Sequence, residues 1–354
     1  MQVKGRGAVT NPTHRFASLQ VEADPDYLPD EDDIPVGAKT KFWDDQSRSI
    51  LSRNQSPDIP FEASLNPYRG CEHGCAYCYA RPTHEYLGHS AGLDFESQIF
   101  VKRTAPELLR KELSKNSWRP QVLALSGITD CYQPVERKLK ITRGCLEVLL
   151  EFGNPVSVIT KNFLITRDCD LLSQMAQKNL VQVNLSITTL DPELARLMEP
   201  RGASPELRLK AVELLSQAGI PVTVMAAPIV PGLTDHELPE ILRRAAEAGA
   251  RRGGYIPLRL PGAVADVFQD WLSERFPLRK EKIIARICEL RGGRLNDPNF
   301  HTRFTGVGKA ADNLNRLYAI ALKRAGLENE RCRLSLEHFR VPQPAKPRQL
   351  GLFE

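Results

Sequence analysis

No apolar run in this chain reaches the length needed to cross a bilayer. The first residues also lack the charged-then-apolar layout of a secretory leader. Both absences predict a protein with no membrane contact. Cysteine pairs at framework spacing are missing too. Cys131, Cys145, Cys169, Cys288 and Cys332 are scattered, which argues against a disulfide scaffold and for free thiols in a reducing, cytoplasmic setting. There is no internal repeat and no long low-complexity tract, so a repeat architecture is not expected. What remains is a chain of 354 residues with an ordinary 42% hydrophobic content, enough for one large domain with extensions or two smaller ones.

Positive charge is unevenly spread. Residues 251–354 hold 20 lysines and arginines against 11 acids, whereas the first 250 residues hold 28 against 32. A basic C-terminal third suits a phosphate-bearing partner, because cationic side chains displace counterions from a nucleic-acid backbone; a solvated basic face is the plainer alternative.

Residues 1–60 carry few periodic apolar positions and an acidic block from Glu22 to Asp33, so they read as an N-terminal arm, partly disordered, with a short ordered part near Phe42 and Trp43. From about residue 62, strand-like runs recur at 62–68, 121–127, 156–161, 181–188, 221–229 and 253–260. Helical patterns at 105–115, 137–152, 167–178, 205–218 and 236–248 separate them. Thr104, Ser204 and Asp235 stand where helix starts are expected. Strand–helix alternation predicts an α/β fold with parallel strands: a partial (β/α)6 TIM-like barrel over residues 61–262, with ligands at the carboxyl ends of the strands. Helices at 264–275, 280–291 and 308–325 form a helical extension over 263–340, and a Pro-rich tail occupies 341–354.

The chemistry concentrates in the loop after the first strand. Cys71, Cys75 and Cys78 are spaced C-x3-C-x2-C, so one short loop presents three thiolates to a single point. Three soft ligands suit an iron–sulfur cluster or zinc. A structural zinc knuckle would take His73 or His84 as its fourth ligand, yet no second cysteine pair follows at finger spacing. A cubane [4Fe-4S] cluster held by three cysteines keeps one iron without a protein ligand, free to chelate S-adenosylmethionine (SAM). The spacing resembles the signature of the radical SAM superfamily. That resemblance implies a SAM-cleaving enzyme that makes a 5′-deoxyadenosyl radical, and an electron donor such as flavodoxin or ferredoxin.

Further residues gather at the strand ends. Along 181–188, Gln182, Asn184, Ser186 and Thr188 share one face, which predicts a polar ligand inside the barrel. Lys161 ends one strand, where its ammonium would reach across the mouth toward a carboxylate. Ser126 and Gly127 end another, allowing close approach of a ligand, and Asp130 and Cys131 follow.

The segments Thr160–Asn162, Leu185–Ile187, Met198–Ser204 and Ala226–Ile229 resemble the spore photoproduct lyase branch, the DNA-repair-photolyase-like radical SAM proteins, over roughly residues 62–250. In that branch a lysine and a serine matching Lys161 and Ser186 contact the amino-acid part of SAM, and aromatic residues matching Tyr77 and Tyr79 flank the last cluster cysteine. A cysteine after the second strand donates hydrogen there. Cys131 is the only cysteine in that neighbourhood, although its local sequence does not superimpose cleanly. Arg201 replaces a smaller residue and has no role by resemblance. The resemblance implies a nucleic-acid base or DNA lesion as substrate. Modification of tRNA or protein, or a non-catalytic zinc-containing adaptor, are the alternatives. The end of the tail, with Gln349, Leu350, Leu352 and Phe353, resembles the peptide by which bacterial repair proteins bind the DNA sliding clamp.

Overall fold

A computed structural model describes residues 5–16, 39–328 and 332–342. Its strands are β1 (Lys41–Asp44), β2 (Leu51–Arg53), β3 (Ala63–Leu65), β4 (Tyr68–Arg69) and β5 (Gln98–Val101). They continue with β6 (Leu123–Leu125), β7 (Val156–Thr160), β8 (Val181–Ser186), β9 (Val222–Ile229) and β10 (Arg252–Pro257). The main sheet has the order β10-β9-β8-β7-β6-β3-β2. Its six strands from β3 to β10 are parallel, and β2 closes one edge antiparallel to β3. The sheet is open between β10 and β2, which is the partial barrel that the strand–helix alternation predicts. A small second sheet, β1-β5-β4, braces the loop after β4.

The alternation of β8 shows why the strands pack as they do. Val181, Val183, Leu185 and Ile187 are fully buried against helices, while Gln182, Asn184 and Ser186 turn to the other face, half-buried. Helices Ala105–Leu113, Ile141–Phe152, Cys169–Gln177, Pro205–Gln217 and Leu238–Glu247 cover the apolar face. Buried leucines such as Leu109, Leu149, Leu172, Leu215 and Leu242 each contribute about 2 kcal/mol by removal from water. Ser204 caps its helix by accepting from Leu207 N, with Pro205 preset for the first turn. Thr104 makes no such capping bond, and Asp235 instead accepts from Gly232 N ahead of a 3-10 turn.

Two features depart from the expected outline. Residues 5–16 hold defined positions on the barrel, beyond the short ordered part expected in the arm near Phe42 and Trp43, which forms β1. Arg6, Gly7 and Ala8 are buried, and the amides of Gly7 and Ala8 donate to the Glu96 carboxylate at 3.0 and 2.8 Å. A Cβ on Gly7 would stand 1.7 Å from the Gly74 carbonyl oxygen, so only glycine fits behind the cysteine loop. Helix Pro192–Met198 was not expected; Asp191 caps it through Glu193 N at 2.8 Å.

Beyond residue 262, helices Val264–Arg275, Lys280–Leu290 and Gly308–Ala325 appear where the pattern predicts them. Phe268, Trp271, Ile283 and Ile287 pack in one apolar cluster with Cys75, Tyr77 and Met198, so the first two of these helices wall the cysteine loop, while Leu314 and Leu322 of the third pack on the barrel core. Residues 332–342 run back across the barrel: Arg340 N donates to Phe152 O and Ser335 N to Asn179 O. The peptide containing Gln349, Leu350, Leu352 and Phe353 lies outside the described residues. No helix among the described residues is long and apolar enough to cross a membrane.

Candidate active site

The cysteine loop is held from all sides by its own backbone. Cys71 N donates to Phe95 O, Ala76 N to Met198 O and Glu72 N to Gln133 Oε1. Gly74 takes a left-handed φ of 65°, which turns the chain between the first two cysteines. The fully buried Arg81 donates twice to Cys75 O and once each to Ala91 O and Gly92 O, and pairs with Glu96 at 2.5 Å. A buried guanidinium survives only with every donor satisfied, and here that requirement fixes the loop.

Cys71 and Cys75 are buried and Cys78 is partly exposed; all three are free thiols. Burial, then Asp130, pushes the Cys71 thiol up, and its Cys75 and Cys78 neighbours push it further. Burial likewise pushes Cys75 up to about 12, opposed by Lys161 Nζ 3.4 Å from its sulfur. Soft donors in a desolvated hollow beside one cation fit an iron–sulfur cluster. The histidines of the zinc alternative have other surroundings. His73 is engaged elsewhere, with Nε2 2.9 Å from Asn162 Nδ2 and Nδ1 3.4 Å from Asp130. His84 sits among Phe95, Phe100 and His89.

The end of β7 brings Lys161 over the loop. Its ammonium donates to Tyr77 Oη at 2.8 Å and to Glu199 Oε1 at 2.9 Å. Glu199 also bonds Tyr77 and the buried Arg208, and accepts from Thr188 at 3.0 Å. Burial opposes ionisation of Glu199, but Arg208 and Lys161 outweigh it and hold the carboxyl well below the usual range. The carboxylate expected across the mouth from Lys161 is thus partly supplied by the chain itself. Asp130 ties the same region together by accepting from Thr160 Oγ1 at 2.7 Å and Lys161 N at 3.0 Å.

Other expected residues fall differently. Tyr77 is buried in that polar knot, whereas Tyr79 is 53% exposed and donates to Gly127 O at 2.8 Å. Ser126 adopts a left-handed φ of 76° after β6, and its Oγ accepts from Cys131 N at 2.6 Å. A Cβ on Gly127 would meet Ser64 at 2.9 Å. Ser186 keeps a half-buried hydroxyl with no hydrogen bond from the described residues. Gln182 and Asn184 instead donate to Ser157 Oγ at 2.9 and 2.8 Å, so much of the polar face of β8 is satisfied across the sheet, not by a ligand. Cys131 corrects an expectation outright. Its side chain is 0% exposed, within the core cluster that contains Tyr68, Tyr132 and Cys145, so no substrate at the mouth can reach its sulfur. Arg201 gains partners, Glu72 at 3.2 Å and Thr40 at 3.3 Å. Glu199 and Arg208 were missed as site residues. Glu199 lies within the Met198–Ser204 segment and Arg208 in the helix after it, but no local pattern signals that they meet Lys161.

An open parallel barrel with three thiols at the carboxyl end of its first strand defines a barrel enzyme built around a cluster. Residues 65–245 match the profile of the Radical SAM superfamily, and the chain belongs to that superfamily. It is therefore a radical SAM enzyme, whose cofactors are a [4Fe-4S] cluster and SAM. An uncharacterized protein of Mycobacterium tuberculosis is 38% identical over 66% of this chain and 68% of its own length. A radical SAM Nα-GlyT isomerase of Pseudomonas phage M6 is 28% identical over 61% of this chain and 44% of its own. Spore photoproduct lyase complexed with dinucleoside spore photoproduct shares the fold, with a TM-score of 0.60 at 14% identity, covering 81% of this chain and 80% of that one.

Proposed function

We propose that this enzyme acts on nucleic acid, DNA above RNA, and takes hydrogen from a base or a base lesion at the barrel mouth. The observation that carries the reading is the loop of three free thiols, two of them buried, with Lys161 set against the Cys75 sulfur at the open end of the sheet. Cys71, Cys75 and Cys78 would hold the cluster. Lys161 and Ser186 would receive the amino-acid part of SAM, with Tyr77 buttressing Lys161 and Tyr79, Ser126 and Gly127 bordering the hollow. Bound together, the cluster and SAM supply one-electron cleavage of a sulfur–carbon bond and a carbon radical that abstracts hydrogen. The protein's share is positional: Glu199 and Arg208 fix Lys161, and the helices after residue 262 keep the loop dry. A buried duplex base must leave its stack to reach such a mouth. Support for this substrate class comes from the basic C-terminal third and from a structural neighbour solved with a dinucleoside lesion.

The wider setting belongs to the same proposal: a cytoplasmic enzyme reduced by a flavodoxin or ferredoxin and brought to DNA through Gln349, Leu350, Leu352 and Phe353. Capture of the sliding clamp by the intact chain, lost on Leu352→Ala with Phe353→Ala, supports recruitment; equal capture removes it. For the substrate, deuterated DNA, deuterated tRNA and a deuterated protein extract are each offered with SAM and reductant. Deuterium in 5′-deoxyadenosine from DNA supports the reading. Deuterium from tRNA or protein alone contradicts it.

A further inference from the structure

Three arginines cluster where β10 leaves the barrel, and two of them are fully occupied. Arg291 donates to the carbonyl oxygens of Pro257, Leu258, Thr302 and Arg303. Arg303 grips Asp58 through Nε at 2.7 Å and Nη2 at 2.5 Å. The third, Arg259, has no hydrogen bond or ion pair among the described residues, and its Nε is buried without a partner. The other nearby acid, Asp297, is taken by Thr302 Oγ1 at 2.6 Å and Asn299 N at 2.9 Å. Burial and then Arg303 lower the pKa of Arg259, and the more distant Asp58 and Asp297 only partly offset them.

Its neighbours say what would neutralise it. The Arg259 Cζ lies 4.7 Å from the Phe304 ring centre, and Arg303 Cζ lies 5.0 Å from the same ring and 4.9 Å from that of Phe300. Phe300 is 51% exposed. Arg259 also interacts electrostatically with Tyr79, next to the last cysteine of the loop, and with Asp58 and Asp297. Guanidinium groups interleaved with exposed aromatic rings form the surface that binds single-stranded nucleic acid, with rings stacking on bases and arginine pairing with phosphate. We propose that Arg259 binds a backbone phosphate of the substrate strand at the barrel mouth, with Phe300 and Tyr79 flanking the nucleotide beside it. The assignment rests on the nucleic-acid reading above.

The test is fluorescence anisotropy of a labelled single-stranded DNA of about a dozen nucleotides on the anaerobic, cluster-loaded protein across a salt series. Wild type, Arg259→Gln and Arg259→Lys are compared with Arg243→Gln, which removes the same charge from an exposed helix. SAM binding is measured in parallel by equilibrium dialysis. Arg259→Gln should weaken DNA binding about tenfold and flatten the log–log salt slope by about 0.7. Arg259→Lys should keep that slope, and Arg243→Gln should match wild type. SAM affinity should hold throughout. Because Arg259 makes no hydrogen bond or ion pair and gives up only its contact with the Phe304 ring, Arg259→Gln should melt close to wild type, and added DNA should raise the melting temperature of wild type more than that of the variant. If Arg259→Gln binds DNA like Arg243→Gln, the assignment is wrong while the nucleic-acid reading stands. A loss confined to SAM affinity overturns it too, since the arginine then serves the carboxylate of SAM. Wild type that binds no DNA removes the nucleic-acid reading, and the assignment with it.

Discussion

Lys161 Nζ lies 2.9 Å from Glu199 Oε1, at the point where the end of β7 crosses the cysteine loop. Glu199 is fully enclosed and also anchors Arg208, so one carboxylate balances two cations next to the Cys75 sulfur. That arrangement explains how an ammonium can stand over a desolvated thiol loop before any ligand arrives.

Removing that carboxylate should be damaging. Glu199→Gln leaves Arg208 and Lys161 without their buried counter-charge, a loss of roughly 3–5 kcal/mol. Denaturant unfolding should show it as a lower midpoint. SAM affinity should fall as well, because Lys161 is no longer held in place.

Gly7 offers a second test. Any side chain there collides with the Gly74 carbonyl, so Gly7→Ala should push residues 5–16 off the back of the loop and destabilise the protein by about 1–3 kcal/mol. The loaded cluster should bleach faster in air than in wild type, followed by its visible absorbance.

Cys131→Ala should turn over like wild type in 5′-deoxyadenosine formation, since the sulfur is enclosed by core side chains. Its expected effect is on stability, about 1 kcal/mol for a small vacated volume. Loss of product with normal SAM cleavage would reinstate the thiol as a hydrogen donor.

His84 sets a pH dependence. Burial, then the neighbouring His89, lowers its pKa to about 4 from the ordinary 6.5, so folding favours the neutral ring. Stability is then complete above about pH 6.5 and is lost as pH falls toward 4, by up to about 3 kcal/mol. His84→Leu should flatten the unfolding free energy across that interval.

Much of this was legible from the residues. Alternation in β8 and the Ser204-Pro205 start follow local rules that tertiary packing only reinforces. The three cysteines declare themselves by spacing. Residues 5–16 escaped notice because they are held by backbone amides on Glu96, a kind of contact that leaves no hydrophobic period. The bonds that knot Lys161, Glu199, Arg208 and Tyr77 together reach across as many as 122 residues, and only the closed geometry brings them together. Cys131 looked reactive by position in sequence, yet it is buried within the core cluster.

The central claim is most directly tested by anaerobic reconstitution followed by reduction in the presence of SAM, with 5′-deoxyadenosine measured by chromatography. Wild type should carry about four irons per chain and form 5′-deoxyadenosine, while Cys71→Ala, Cys75→Ala and Cys78→Ala should each form none. A fully loaded wild type that leaves SAM intact, or a single-cysteine variant that cleaves it as well as wild type, would contradict the account.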